Sequence, residues 1–185
     1  MSAFPQYILS GFEHVIPLGY DHILFIMSLF FLDSNLKTAI IQCTLFTLAH
    51  SVTLAMVALG VIIVNPYYIE IIIALSIFFV SVENLFLTKV KPWRLFLVFL
   101  FGLIHGAGFA SALLSAGIPE NQQITALLGF NIGVEMAQVL LVVCCFLGIA
   151  KPFSGKEWYH NKFTTPLAIA TASLSLFWAI QRFLQ

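Results

Sequence analysis

The stretch "GFEHVIPLGYDHILFIMSLFFL" (Gly11–Leu32) decides how the chain is read, because it joins two kinds of chemistry. From Ile23 to Leu32 only Ser28 is polar, as in the middle of a membrane helix. Just upstream stand Glu13, His14, Asp21 and His22. Pro17 and Gly19 separate two pieces, since proline removes a backbone donor and both residues interrupt a helix. A span over about Leu18–Leu32 is short for a bilayer. It needs help from Ala3–Ile16, which reads as an interfacial or re-entrant helix.

Outward from this stretch the chain is apolar almost throughout. Of 185 residues 61% are hydrophobic and 9% charged, with 19 phenylalanines and a mean hydropathy of +1.01. Soluble domains carry about 25% charged residues, and one of this length has too little interior to hide so much apolar surface. The expectation is an all-α polytopic membrane bundle forming one transmembrane domain over residues 1–185. Five further spans follow, at about Thr38–Val64, Tyr67–Leu87, Leu95–Ala116, Ile124–Ala150 and Thr164–Leu184. The formal net charge of zero argues against a nucleic-acid partner. No secretory leader is expected, since the first apolar run lacks a basic flank and contains an acid. Cys43, Cys144 and Cys145 fall inside apolar runs and read as small hydrophobes.

With six spans, the loops after the first, third and fifth share a side. They hold Lys37, Lys89, Lys91, Arg94, Lys151, Lys156 and Lys162, against Arg182 alone on the other. The positive-inside rule then places both termini outside the cytoplasm.

Every basic residue reads as lying at a loop or a span end, with none inside to pair with an acid. Asp21, Glu83, Glu135, His22, His50 and His105 nevertheless fall within spans. A carboxylate in hydrocarbon must be protonated, hydrated or matched by a bound cation. Counted from the basic end at about 1.5 Å per residue, Asp21, His22, His50, His105 and Glu135 lie roughly 17–22 Å deep, near one level. His14 can fold toward that level, whereas Glu83 lies only about 8 Å in and reads as a second station. Imidazole with carboxylate suits nickel, zinc, cobalt or ferrous iron. The expected ligands are His14, Asp21, His22, His50, His105 and Glu135. Glu83, Asn84, Asn131, Ser51 and Gln138 are expected along the path or behind the ligands.

The surroundings fit such a site. In "TLAHSVT" (Thr47–Thr53) two threonines flank His50 and can orient its ring. In "GLIHGAGFAS" (Gly102–Ser111) Gly102 and Gly106 allow a neighbouring backbone to approach His105. In "NIGVEMAQ" Asn131, Glu135 and Gln138 share a helical stripe. The phenylalanines of "LFLVFLFG" (Leu95–Gly102) read as lipid-facing or core residues.

Together "HVIPLGYDHILF" (His14–Phe25), "AHSVTLA" (Ala49–Ala55), "VEN" (Val82–Asn84), "GLIHGAGFAS" and "GFNIGVEMAQ" (Gly129–Gln138) resemble the HupE/UreJ family of bacterial membrane proteins. The resemblance covers roughly Gly11–Leu147. It implies a secondary permease for nickel or a related divalent metal in the bacterial inner membrane. The family's His, spacer, Asp-His hallmark carries over to His14, Asp21 and His22, and its His-Gly pair to His105 and Gly106. Here six residues (Val15–Tyr20) separate His14 from Asp21, where the familiar permeases have five, so the chain looks like a sister branch. The partners implied are a metal ion and the lipid bilayer, with a homo-oligomer left open. The rival class is an intramembrane zinc or dimetal hydrolase acting on a lipid or membrane substrate, with Ser51 or Ser111 as a polar partner.

Overall fold

A computed structural model describes the backbone of residues 3–115 and 120–185, and the side chains of residues 3–110 and 121–185. Every regular element among them is helical. The helices are α1 (Phe4–Val15), α2 (Tyr20–Phe30), α3 (Leu36–Ala58), α4 (Pro66–Phe86), α5 (Pro92–Ser115), α6 (Gln123–Phe153) and α7 (Glu157–Phe183). Five of them, α3 to α7, are long and apolar enough to cross a membrane. Asparagines start two of these: Asn35 Oδ1 accepts from the Thr38 amide and Asn65 Oδ1 from the Tyr67 amide, both at 3.0 Å. Each cap satisfies an amide that the first turn leaves without a partner.

The first crossing is a broken one. α1 runs along the opening half of α6, held where small residues bring the backbones together. A Cβ on Gly133 would overlap the Ile8 carbonyl, and one on Gly11 the Phe130 carbonyl. Tyr7 Oη donates to Gln122 Oε1 at 2.9 Å, which fixes the start of α1 beside the start of α6. After the break at residues 16–19, α2 continues to the opposite end, where Ser28 Oγ lies 3.0 Å from Ser81 Oγ. At about 1.5 Å per residue, α1 (about 18 Å) and α2 (about 16 Å) together match one membrane crossing. Ala3–Ile16, expected as an interfacial or re-entrant helix, is a helix packed along α6 within the bundle.

α3 packs most closely on α5. A Cβ on Gly106 would overlap the His50 carbonyl, and Thr53 Oγ1 donates to the Leu103 carbonyl at 2.6 Å. The starts of α1, α4 and α6 and the end of α7 gather at one end of the bundle, where Tyr67 Oη donates to the Phe183 carbonyl at 2.9 Å. We call this the terminal end. The opposite, lysine end carries Lys37, Lys89, Lys91, Lys151, Lys156 and Lys162, all exposed.

Two arginines overturn the expectation that no cation stands inside to meet an acid. Arg94 is 1% exposed. Its Nη1 donates to Glu83 Oε2 at 2.6 Å and to Asn84 Oδ1 at 3.3 Å, and its Nη2 donates to the Ser28 carbonyl at 3.2 Å. The cause is the tight connection between α4 and α5. Glu83 lies one turn before the end of α4 and Arg94 is the third residue of α5, so the hairpin brings them face to face. Arg182, near the end of α7, reaches Asp21 in the same way from across the bundle, at 3.0 Å.

Removing one member of a buried ion pair strands the other charge, at a cost of about 3–5 kcal/mol, whereas replacing both with apolar residues is close to neutral. Arg94→Met should therefore destabilise the protein strongly in detergent unfolding, and Arg94→Met with Glu83→Leu should recover most of the loss. Equal instability of the single and double variants would show that the pair is not the source of the effect.

Candidate metal centre

Four helices each deliver one imidazole to the same place. His14 comes from the last turn of α1, His22 from the first turn of α2, His50 from the middle of α3 and His105 from the middle of α5. Ring centroids are 4.7 Å apart for His14–His22, 5.9 Å for His22–His50 and 5.3 Å for His22–His105. One ring nitrogen from each of His14, His22 and His50 lies within 4.8 Å of the others. Around a tetrahedral metal with bonds near 2.0–2.1 Å, ligand nitrogens stand about 3.3 Å apart. The rings are thus gathered but not clenched, and side-chain rotations of about an ångström would close them on an ion.

The hydrogen-bond inventory is as telling as the distances. Among the described residues His14 Nε2, His22 Nε2, both ring nitrogens of His50, and His105 Nδ1 are buried with no protein hydrogen-bond partner, although Asn131 stands beside His50. Buried polar atoms in native proteins nearly always have a partner, from the protein or from water. One nitrogen of each neutral ring carries a lone pair, the donor that a metal ion takes. His105 shows how one of them is aimed. Ser76 Oγ donates its only proton to the Ile73 carbonyl at 2.7 Å and lies 3.0 Å from His105 Nε2. With its proton on the Ile73 carbonyl, Ser76 accepts from His105 Nε2–H and the Nδ1 lone pair of the neutral ring is free, whereas donation from Ser76 to Nε2 gives the opposite tautomer.

A cavity of about 430 Å³ reaches this cluster from the terminal end. His14, His22 and His105 line its depth, and Glu13, Asp21, Glu70 and Arg182 are also on its walls. On the lysine side the way is shut by phenyl rings. Phe25, Phe46 and Phe101 each lie one helical turn from His22, His50 and His105, in every case toward the lysine end. Phe25 and Phe46 are buried and 5.0 Å apart, and Phe101 stands 6.0 Å from Phe25. Phe101, read from sequence as lipid-facing or core, is part of this floor.

The carboxylates expected as ligands are placed otherwise. Asp21 lines the cavity, but its Oδ2 is taken by Arg182. Glu135 Oε1 accepts from Thr44 Oγ1 at 2.6 Å and its Oε2 is buried with no partner among the described residues; neither Glu135 nor His105 belongs to the tight group of His14, His22 and His50. Glu83 and Asn84 are bound to Arg94 at the lysine end, so Glu83 is no unpaired second station. Asn131 stands beside His50, with its Nδ2 on the Leu127 carbonyl and its Oδ1 unpartnered. Gln138 is fully buried with both amide atoms unpartnered. Of the hydroxyls around His50, Ser51 donates to the Thr47 carbonyl at 2.7 Å and Thr53 to the Leu103 carbonyl at 2.6 Å, while Thr47 Oγ1 is buried with no partner among the described residues. The Ser111 side chain lies outside the described residues. Ser76, Arg182 and the phenyl floor were not foreseen. Ser76 did carry a signal, as a hydroxyl in the middle of an apolar span.

Comparison with known proteins agrees with the motifs. A family model described as HupE / UreJ protein matches residues 1–182. No curated protein and no solved structure matches the chain.

The Ser76 contact has a spectroscopic consequence. Nitrogen-15 spectra of side-chain-labelled histidine should show His105 as a single Nε2–H tautomer at neutral pH. Ser76→Ala should release it into a mixture, while a spectrum unchanged by that substitution would show that Ser76 does not set the proton.

Proposed function

The chain belongs to the HupE/UreJ family of membrane proteins associated with nickel and cobalt handling, and on that premise we propose that it is a secondary permease for nickel or a similar divalent transition metal. The observation that carries this reading is the convergence of four imidazoles, three of which, His14, His22 and His105, line a cavity open at one end of the bundle, with His50 packed behind them. Imidazole nitrogen is the donor that nickel, zinc, cobalt and ferrous iron share. Of the expected ligand set we retain His14, His22, His50 and His105 as the ones that replace the ion's water. Asp21 supplies charge at the entrance, and Asn131 stands behind His50.

The route follows from what is open and what is shut. A hydrated cation enters at the terminal end between Glu13, Asp21 and Glu70 and exchanges water for imidazole at the bottom. The phenyl layer of Phe25, Phe46 and Phe101 denies it the way on, because a bare charge gains nothing from an apolar constriction. Passage needs α2, α3 or α5 to shift and part these rings. The first crossing is broken at residues 16–19 beside the site, a discontinuity of the kind that forms ion sites in other transporters. The lysine end faces the cytoplasm by the positive-inside rule. The cavity then opens outward from a bacterial inner membrane, with both termini on the outer side.

A hydrolase would need a carboxylate placed to take a proton beside the metal; Glu83 is held by Arg94 at the lysine end, away from the imidazoles.

Untagged protein should bind nickel, zinc or cobalt reversibly, and His22→Ala with His50→Ala should weaken binding at least about tenfold, a loss of about 1.4 kcal/mol or more. Liposomes containing the wild type should take up the metal, and those containing the double variant should not. Metal held tightly at one per chain, without uptake but with lipid cleavage, would overturn the permease in favour of the hydrolase. Binding unaffected by the two substitutions would remove the site itself.

A further inference from the structure

The mouth of the cavity holds three carboxylates, Glu13, Asp21 and Glu70, and one cation, Arg182. The guanidinium is held from several sides. Nη2 lies 3.0 Å from Asp21 Oδ2, Nη1 donates to the Glu70 carbonyl at 2.9 Å, and Nε stands 3.9 Å from Glu70 Oε2. The group also lies 5.9 Å over the Trp178 ring. Asp21 is the neighbour of His22, whose Nε2 is buried without a partner and whose side chain lines the same cavity. The arginine thus sits on a carboxylate that adjoins one of the imidazoles and lines the way to them.

The two ion pairs of this protein differ in a way that bears on function. Arg94 and Glu83 are 1% and 6% exposed and are sealed from solvent. Arg182 and Asp21 are 22% and 27% exposed, in a cavity that water can enter. A pair of the second kind is weak and exchanges readily. Only one of the contacts on Arg182 involves Asp21. The Glu70 carbonyl and Trp178 belong to its own side of the mouth and can keep the guanidinium once Asp21 is given up.

We propose that Arg182 is a tethered competing cation that occupies Asp21 in the metal-free protein and yields it to an entering divalent ion. This rests on the permease reading above and adds to it a basis for selection at the entrance. A monovalent ion brings Asp21 no more charge than the arginine it displaces. A divalent ion brings one charge more, and it alone goes on to gain the imidazoles. The competitor therefore sets a threshold that sodium and potassium do not pass. It also keeps Asp21 from standing unpaired when the site is empty.

The test is equilibrium dialysis of nickel and zinc against the purified full chain, with Arg182→Gln, Asp21→Asn, the double variant and His22→Ala compared with wild type. Removing the competitor should tighten metal binding about five- to tenfold, the order expected for a partly exposed charge pair. The gain should vanish in the Asp21→Asn background, because the two residues act through one contact. Sodium at about 0.1 M, a strength that screens charges beyond about 10 Å, should compete with metal in Arg182→Gln far more than in wild type. A folded Arg182→Gln protein that binds metal as wild type does, or more weakly, would overturn the proposal. If that variant does not fold, Arg182→Lys takes its place. A single ammonium cannot hold both Asp21 and the Glu70 carbonyl in the guanidinium geometry, so it should also bind metal more tightly than wild type, and unchanged affinity would count against the proposal. The His22→Ala arm separates the two readings. If it binds metal as wild type does, the imidazole site has failed. If it loses binding while Arg182→Gln matches wild type, only the competitor has failed.

Discussion

An imidazole carried into an apolar bundle gives up its hydrogen bonds to water, and each nitrogen left unmatched costs about 1–3 kcal/mol. This chain accepts that cost at several nitrogens in one place, on His14, His22, His50 and His105. The rest of the architecture is organised around keeping those rings buried, close and reachable from one side. α1 stops and α2 starts beside them, so that two histidines only eight positions apart arrive from separate helices. Glycines in α5 let α3 come in until the His50 carbonyl would touch a side chain at Gly106. Ser76 turns His105.

Charge is handled at two depths by the same chemistry used differently. At the lysine end Arg94 ties α5 to Glu83, Asn84 and the Ser28 carbonyl, joining the ends of α2 and α4 in a closed network. Such a network fixes helix ends and has no reason to open. At the terminal end Arg182 makes a looser contact with Asp21 in a cavity open to water. Between them lie the imidazoles and, below these, the phenyl floor. Read from the terminal end inward, the order is exchangeable charge, neutral donors, apolar seal, and then a locked ion pair. That sequence gives an ion a way in and a resting place, and it requires a change of helix packing before the ion can go further.

Much of this was legible in the sequence, and the parts that were not have physical reasons. Helix positions and the common level of His22, His50 and His105 follow from counting residues along apolar runs, because rise per residue is nearly constant. The partners of Asp21 and Glu83 were hidden. Depth counting assigns Arg94 and Arg182 to span ends, where long side chains ordinarily reach for water. Here Arg94 folds back onto an acid one turn inside α4, and Arg182 onto Asp21 in the first turn of α2. The mirrored positions of Glu83 and Arg94 about a short turn could have shown the first pair. The second depends on α7 meeting α2, which no local pattern reveals. Gly129 and Gly133 in "GFNIG" carried the packing of α1 on α6 in plain sight, as small residues one turn apart. The phenyl floor was written as His22 with Phe25, Phe46 with His50 and Phe101 with His105. It becomes a layer only when the directions of the helices are known. Glu135 shares its stripe with Asn131 and Gln138 as the spacing suggested, and the contact of its Oε1 with Thr44 on α3 depends on helix packing that no local pattern reveals.

The central claim is that the four imidazoles, and not the carboxylates, hold the metal. X-ray absorption at the nickel edge of the loaded, untagged protein tests it most directly. The account predicts three or four nitrogen neighbours near 2.0–2.1 Å with the outer-shell scattering of imidazole rings, lost on substituting His22 and His50. A shell of oxygens alone, unaffected by those substitutions, would contradict it and move the ion to the carboxylates at the cavity mouth.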